Sequence, residues 1–214
     1  AREEHLGDKA RILRMDCGPE GYLPKEQLWD HLDAFSDNLA EWFHQQPAYP
    51  SLIHSHYADA GYVGARLANQ LSIPLVHTGH SLGRDKRKRL LATGLSRQQI
   101  DDVYNIVRRI EAEEETLSNA DLVITSTHNE IEEQYKLYNY YDPERMEVIP
   151  PGTDLAQFHP VKRSEQRPFR EELERFLSNP AKPLILALSR PDERKNILTL
   201  IEAYGETAAL QQVA

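Results

Sequence analysis

The chain has 214 residues, is 40% hydrophobic and 28% charged, and carries a formal net charge of -9. An acidic balance of this kind excludes the broad basic surface that nucleic-acid binding requires. The single cysteine, Cys17, excludes an intramolecular disulfide and any structural zinc site built on paired cysteines.

Short apolar runs alternate with longer amphipathic ones along the chain. "ARILRMDC" (10–17) reads as a strand. "PKEQLWDHLDAFSDNLAEWFHQQ" (24–46) reads as one helix, because Leu28, Leu32, Phe35, Leu39 and Trp42 recur every three or four residues. "SLIHSHY" (51–57) is a short strand and "GYVGARLANQL" (61–71) a helix with small residues on one side. "IPLVHTG" (73–79) is a strand again. Ser96 and Gln99 match a capping box. The box opens a long helix in which Ile100, Val103, Val107, Ile110 and Leu117 form one apolar stripe. "ADLVITST" (120–127) is a buried strand, "IEEQY" (131–135) is helical, and "MEVIPPG" (146–152) is a strand closed by a rigid turn. The polar stretch 159–183 separates these from "LILALSR" (184–190), a fresh buried strand, and from "NILTLIEAYGETAAL", a helix.

Repeated strand-helix-strand units with near-continuous apolar strands predict an α/β fold. Its sheet is parallel and covered by helices on both faces. The predicted organisation is one domain over 1–160, a linker over 161–182, and the beginning of a second α/β domain over 183–214. Ligands of such sheets bind beyond the carboxyl ends of the strands. That rule places 54–59, 77–86, 126–127 and 150–154 on one rim.

Three groups on this chain suit anionic chemistry. In "SRPDERKN" (189–196), Arg190 and Lys195 follow an apolar run and precede a helix. Two cations beside a helix N-terminus suit a diphosphate; the alternative is a solvated loop in which they pair with Asp192 and Glu193. In "HTGHSLG" (77–83), His80 stands just past a strand end, where a side chain can face a cleft and hydrogen-bond a substrate. The basic run 84–89 holds Lys86, and "RRIEAEEE" (108–115) holds Arg108 and Arg109 beside the apolar stripe. Lysine and arginine together could clamp one phosphate, or Arg109 could merely pair with Glu113 one helical turn on. No HExxH ligand set, GxxxxGK[ST] loop, GxGxxG fingerprint or GxSxG elbow occurs. The opening "AREEHLGDKA" carries no signal-peptide pattern, and no apolar run could cross a bilayer. A cytoplasmic setting is therefore expected.

"HSHYADAG", "HTGHSLGRDKRKRLL", "YNIVRRIEAEE", "ADLVITST", "VIPPGTD" and "SRPDERKN" together resemble the sucrose-phosphate synthases. These are retaining transferases of glycosyltransferase family 4 with two facing Rossmann-like domains, the GT-B fold. Sucrose synthases look similar but carry "HALE" where this chain has Ser81, Leu82 and Gly83. The resemblance implies transfer of glucose from UDP-glucose to fructose 6-phosphate, giving sucrose 6-phosphate and UDP with retention. ADP-glucose is the alternative donor, and an unphosphorylated sugar the alternative acceptor. A sugar-phosphate binding domain without catalysis is the rival of another class.

By motif match, Lys86, Arg108 and Arg109 would hold the acceptor phosphate, and His80 would contact the transferred glucose. Arg190 and Lys195 would bind the UDP diphosphate and stabilise it as it leaves. No cofactor is implied, with magnesium at most an activator, and neither nucleic acid nor membrane is an expected partner. Sucrose-phosphate phosphatase is the protein partner that the resemblance suggests. The family's N-terminal glycine-rich loop and later "EPFG…E" segment do not occur, so the chain reads as a central piece that would not turn over by itself.

Overall fold

The computed structural model describes residues 2–160, 170–190 and 192–214. The chain divides into two compact units, Ala1–Gly152 and Thr153–Ala214. The expected linker over 161–182 lies partly outside the described residues.

The first unit opens with a hairpin of β1 (Arg2–Gly7) and β2 (Ala10–Arg14). The run at 10–14 was expected to join the common layer; it pairs antiparallel with β1 alone, as a separate two-stranded sheet. The polar opening segment becomes its partner through the backbone ladder, and opposite charges meet diagonally across the two strands. Arg14 meets Glu4 at 2.7 Å and Arg11 meets Glu3 at 3.2 Å. Both pairs are exposed, so they set register more than they add stability.

The expected helix over 24–46 is split. Pro24 holds φ at -54°, and residues Lys25–His31 wind as a tight 3-10 segment before α1 (Leu32–His44). The tight segment turns Trp29 inward. Leu32, Phe35 and Leu39 pack around Ala40, Val63 and Leu67, as the apolar spacing required.

Four strands form the main sheet. β3 (Ile53–His56) runs directly into α2 (Tyr57–Leu71), which starts four residues earlier than its apolar pattern suggested. β4 (Leu75–Thr78) is buried along its whole length, so both faces of the sheet are covered there. The small residues of α2 let it lie close: a Cβ on Gly64 would stand 3.0 Å from Ser55 Cβ and 3.1 Å from Leu75 Cδ1.

After β4 come α3 (Gly83–Ala92), α4 (Arg97–Tyr104) and α5 (Ile106–Asn119). The capping box forms as read: Gln99 N–H donates to Ser96 Oγ at 3.2 Å, and Ser96 N–H donates to Gln99 Oε1 at 2.9 Å. Ser96→Ala is therefore expected to lower unfolding stability by about 1 kcal/mol, and Ser96→Gly by only a few tenths. A Ser96→Ala protein as stable as wild type in denaturant unfolding would remove the side-chain cap as a contributor.

The single long helix does not form. Asn105 takes a left-handed φ of 48° and separates α4 from α5. Its Nδ2 donates to the Glu26 carbonyl at 3.4 Å, and Asp101 Oδ1 accepts the Val107 N–H at 2.9 Å. The two stripe residues that flank the break are exposed, Val103 at 60% and Val107 at 45%, while Ile100, Ile110 and Leu117 stay buried.

β5 (Leu122–Thr125) and β6 (Met146–Val148) complete the sheet, in order β3-β4-β5-β6, all parallel. Between them the expected helix at 131–135 forms as a π-helical turn over Glu130–Gln134 that passes into a 3-10 turn at Tyr135–Leu137. Tyr135 and Tyr138 are buried there, and the Gly79 N–H donates to the Tyr135 hydroxyl at 3.2 Å.

The second unit holds α6 (Arg170–Glu174), α7 (Ile197–Glu206) and α8 (Ala208–Val213). The strand expected at 184–190 is not formed: the segment has no ladder partner, and Leu186 and Leu188 are 68% and 91% exposed. A strand needs a neighbour for its N–H and C=O groups, and no other segment described in this unit supplies one. Among the described residues no helix is long and apolar enough to cross a membrane.

Candidate functional site

The site grows from the carboxyl ends of β3 and β4. Strand alternation sends Ser55 and His77 toward α2, where Ser55 Oγ and His77 Nδ1 lie 2.9 Å apart. The intervening residues, His54, His56 and Thr78, share the other face. His54 Nε2 stands 2.9 Å from Thr78 Oγ1, and its ring centroid is 4.2 Å from that of His56.

Each strand leaves the sheet through a non-glycine residue of positive φ, Tyr57 at 75° and His80 at 59°. Such conformations are costly and cluster at functional sites. The turn at His80 brings its Nε2 to 2.8 Å from His56 Nδ1, with the two rings stacked. Burial, then the charges of His56 and His80, lowers the His54 pKa. Burial drives His77 down to about 4, helped by His56, His54 and His80. His80 is thus one of a cluster; the strand-end rule put His56 on the same rim, and the turn at His80 brings the two rings together.

Beside the cluster lies a small hollow lined by three cations, Lys25, Lys86 and Arg109, and by Tyr57, Tyr104 and Trp29. Glu26 and Asp59 line it as well, so three cations face two carboxylates and the lining is positive by one charge. Lys86 Nζ lies 3.7 Å from the Tyr104 ring centroid, and Arg109 Cζ lies 4.6 Å from that of Tyr57. Lys25 Nζ donates to the Tyr57 hydroxyl at 3.3 Å. Aromatic faces hold cations with little loss of their outward charge. Arg109 is buried; its Nε donates to Glu113 Oε1 at 2.9 Å and its Nη2 to the Ser81 carbonyl at 2.5 Å.

Of the residues singled out from the sequence, Lys86 and Arg109 meet in this hollow. Arg108 turns elsewhere, donating through Nη1 to Asp30 Oδ1 at 2.6 Å and through Nη2 to the Trp29 carbonyl at 3.0 Å. Its hydrogen bond and charge hold the Asp30 carboxyl below the usual range. The i,i+3 and i,i+4 logic of a helix could not say which of two adjacent arginines faces inward; the break at Asn105 decides it. Lys25 and Tyr57 were missed, because no periodicity links a 3-10 turn to the end of a distant strand.

In the second unit, Arg190 and Lys195 flank the approach to α7. Arg190 is largely exposed, with Nη2 3.8 Å from Asp192 Oδ2, and Lys195 ends a 3-10 turn over Glu193–Lys195. Asn196, at φ 53°, then starts the helix. Among the described residues, no group of three or more His, Cys, Asp or Glu could hold a metal ion.

Residues 6–157 match the family described as Glycosyltransferase Family 4, from the end of β1 through β6 and across the rim just described. The chain belongs to glycosyltransferase family 4. Within that family it is similar to a probable sucrose-phosphate synthase of Solanum tuberosum, 40% identical over 96% of this chain and 24% of that protein. A sucrose-phosphate synthase of Zea mays is likewise 40% identical, over 99% of this chain and 25% of that protein. The solved structure of a Thermosynechococcus elongatus sucrose-phosphate synthase superposes with a TM-score of 0.73 at 28% identity, covering 96% of this chain and 46% of that one. The family 4 chain therefore spans about a quarter of the length of these curated relatives. Its fold class is that of the GT-B proteins, α/β with a Rossmann-like parallel sheet.

Proposed function

We propose that the protein to which this chain belongs transfers glucose from UDP-glucose to fructose 6-phosphate, releasing sucrose 6-phosphate and UDP with retention of configuration. The observation that carries this reading is the hollow in which Lys25, Lys86 and Arg109 converge at the carboxyl end of a parallel sheet. Three cations on aromatic supports suit a small dianion such as a sugar phosphate. The similarity to proteins named sucrose-phosphate synthase supports the same choice.

In this reading His80, steadied by His56, hydrogen-bonds hydroxyls of the transferred glucose. Arg108 joins the acceptor phosphate only by leaving its pair with Asp30. Arg190 and Lys195 hold the donor diphosphate and neutralise its charge as the glucosyl C1–O bond breaks. The acceptor hydroxyl attacks C1 on the same face, and its proton passes to the departing phosphate oxygen. Magnesium enters only as an activator. Sucrose-phosphate phosphatase would consume the product, in the cytoplasm.

The test is acceptor choice by the full-length protein. With UDP-glucose, kcat/KM for fructose 6-phosphate is expected to exceed that for fructose by at least about 100-fold, since two charged hydrogen bonds contribute about 1.5–3 kcal/mol each. Mass spectrometry should detect sucrose 6-phosphate. Equal use of fructose would remove the phosphate reading, and binding of UDP without any product would favour a non-catalytic domain.

A further inference from the structure

We infer that Glu113 is a positioning residue for the cationic hollow: its buried carboxylate locks the Arg109 guanidinium and the first turn of α3, which carries Lys86, into one fixed arrangement. The inference rests on reading the hollow as a phosphate site. Glu113 is 2% exposed and does not itself line the hollow. Its Oε1 accepts Arg109 Nε at 2.9 Å and the Gly83 N–H at 3.0 Å. Its Oε2 accepts the same N–H at 2.9 Å and the hydroxyl of Tyr138. Every partner donates, so the group acts as a carboxylate. Burial pushes its carboxyl up, opposed by Arg109, Tyr138 and the Gly83 amide.

The connection to Lys86 runs through the helix start. Gly83 opens α3, and the Arg84 N–H donates to the Tyr138 hydroxyl at 3.1 Å. The first two amides of α3 thus end on one carboxylate–phenol pair. Lys86, one turn along, also donates its backbone N–H to the Leu82 carbonyl at 3.0 Å. Gly83 is what permits the approach, because a Cβ there would stand 2.7 Å from Glu113 Oε2 and 2.9 Å from Ile110 Cγ1. Arg109 and Lys86 arise from different helices. This carboxylate is bonded to the guanidinium of one and to the first turn of the other, so it sets their separation. A positioned pair of cations binds a phosphate far better than two mobile ones.

A second role for a carboxylate beside an arginine would be to weaken its charge, and the two roles predict opposite signs. In the full-length protein, Glu113→Gln removes the negative charge yet keeps the shape. Positioning predicts that KM for fructose 6-phosphate rises about 10-fold or more while KM for UDP-glucose stays within about twofold. Glu113→Asp, which keeps the charge on a shorter stem, should recover part of the loss. Tyr138→Phe, which removes one anchor only, should raise the acceptor KM about threefold.

An acceptor KM that falls or holds in Glu113→Gln overturns the inference, as does a parallel rise in both substrates' KM values. Should Glu113→Gln fail to fold, an unchanged acceptor KM in Tyr138→Phe overturns it. A wild-type protein that does not distinguish fructose from fructose 6-phosphate overturns the phosphate reading itself. A discriminating wild type whose preference survives Glu113→Gln overturns the positioning role alone.

Discussion

Replacing Arg109 with alanine is expected to destabilise the parallel-sheet unit by about 3–5 kcal/mol, the usual cost of stranding one partner of a buried ion pair. The Arg109 and Glu113 side chains are only 5% and 3% exposed, so solvent screening offers no relief. The loss has a definite structural origin. Glu113 would keep the Gly83 amide and the Tyr138 hydroxyl as donors but lose its only charged partner among those bonds. The Ser81 carbonyl would lose its guanidinium donor as well. In the full-length protein, kcat/KM for fructose 6-phosphate should fall about 100-fold or more, since a charged hydrogen bond contributes about 1.5–3 kcal/mol and the partner cation would shift too. The double replacement Arg109→Met with Glu113→Leu should restore neither stability nor activity, because an apolar pair strands the Gly83 amide, the Tyr138 hydroxyl and the Ser81 carbonyl. Denaturant unfolding and acceptor kinetics measured on the same variants check both halves. A stable Arg109→Ala protein with normal acceptor kinetics would sink the assignment of this residue to the hollow.

The second large effect concerns pH. His77 is 2% exposed and its pKa is pushed down to about 4, from an ordinary 6.5. A histidine that resists protonation in the folded state favours folding while it is neutral. That contribution is present in full above about pH 6.5 and is lost progressively as pH falls toward 4. A depression of about two and a half pKa units corresponds to about 3 kcal/mol at most. The groups that face His77 explain why it cannot simply accept the proton. Gly61 and Thr116 pack tightly against the ring, since a Cβ on Gly61 would stand 2.6 Å from Thr116 Oγ1 and 3.0 Å from His77 Cε1. Ser55 Oγ occupies Nδ1, and the His54, His56 and His80 cluster lies close enough to repel a further charge. The full-length His77→Asn protein should therefore lose less stability than wild type between about pH 6.5 and pH 4. Parallel stability curves for the two proteins over that range would show that His77 is not the group responsible.

Much of this architecture was legible because burial imposes a period. The apolar runs at β3, β4, β5 and β6 marked the strands, and the positions just beyond them marked the rim, because parallel strands point their carboxyl ends one way. Ser96 and Gln99 announced a helix start because the box is made by neighbours in the chain. Where a decision lay between distant segments, local pattern failed. The exposed β1 strand has no apolar period; it forms through its backbone ladder with β2, with Glu3 and Glu4 reaching Arg11 and Arg14 diagonally across the pair. The stripe from Ile100 to Leu117 promised one helix, yet Asn105 turned out of it to reach a carbonyl in the 3-10 segment. The apolar run at 184–190 carries a strand's composition without a partner to complete its ladder.

The amino-acid sequence by itself determined the class of fold, the family resemblance, and the types of side chain available for an anionic ligand. Composition and period are local sums, and they survive any arrangement of the chain. Only the tertiary structure decided which of those side chains act together. It set Arg109 inward and Arg108 toward Asp30, brought Lys25 and Tyr57 to Lys86, and paired His80 with His56. Those outcomes depend on where a helix breaks and how closely two helices can pack at a glycine. Such features arise from contacts between segments far apart in the chain, which no window of neighbouring residues contains.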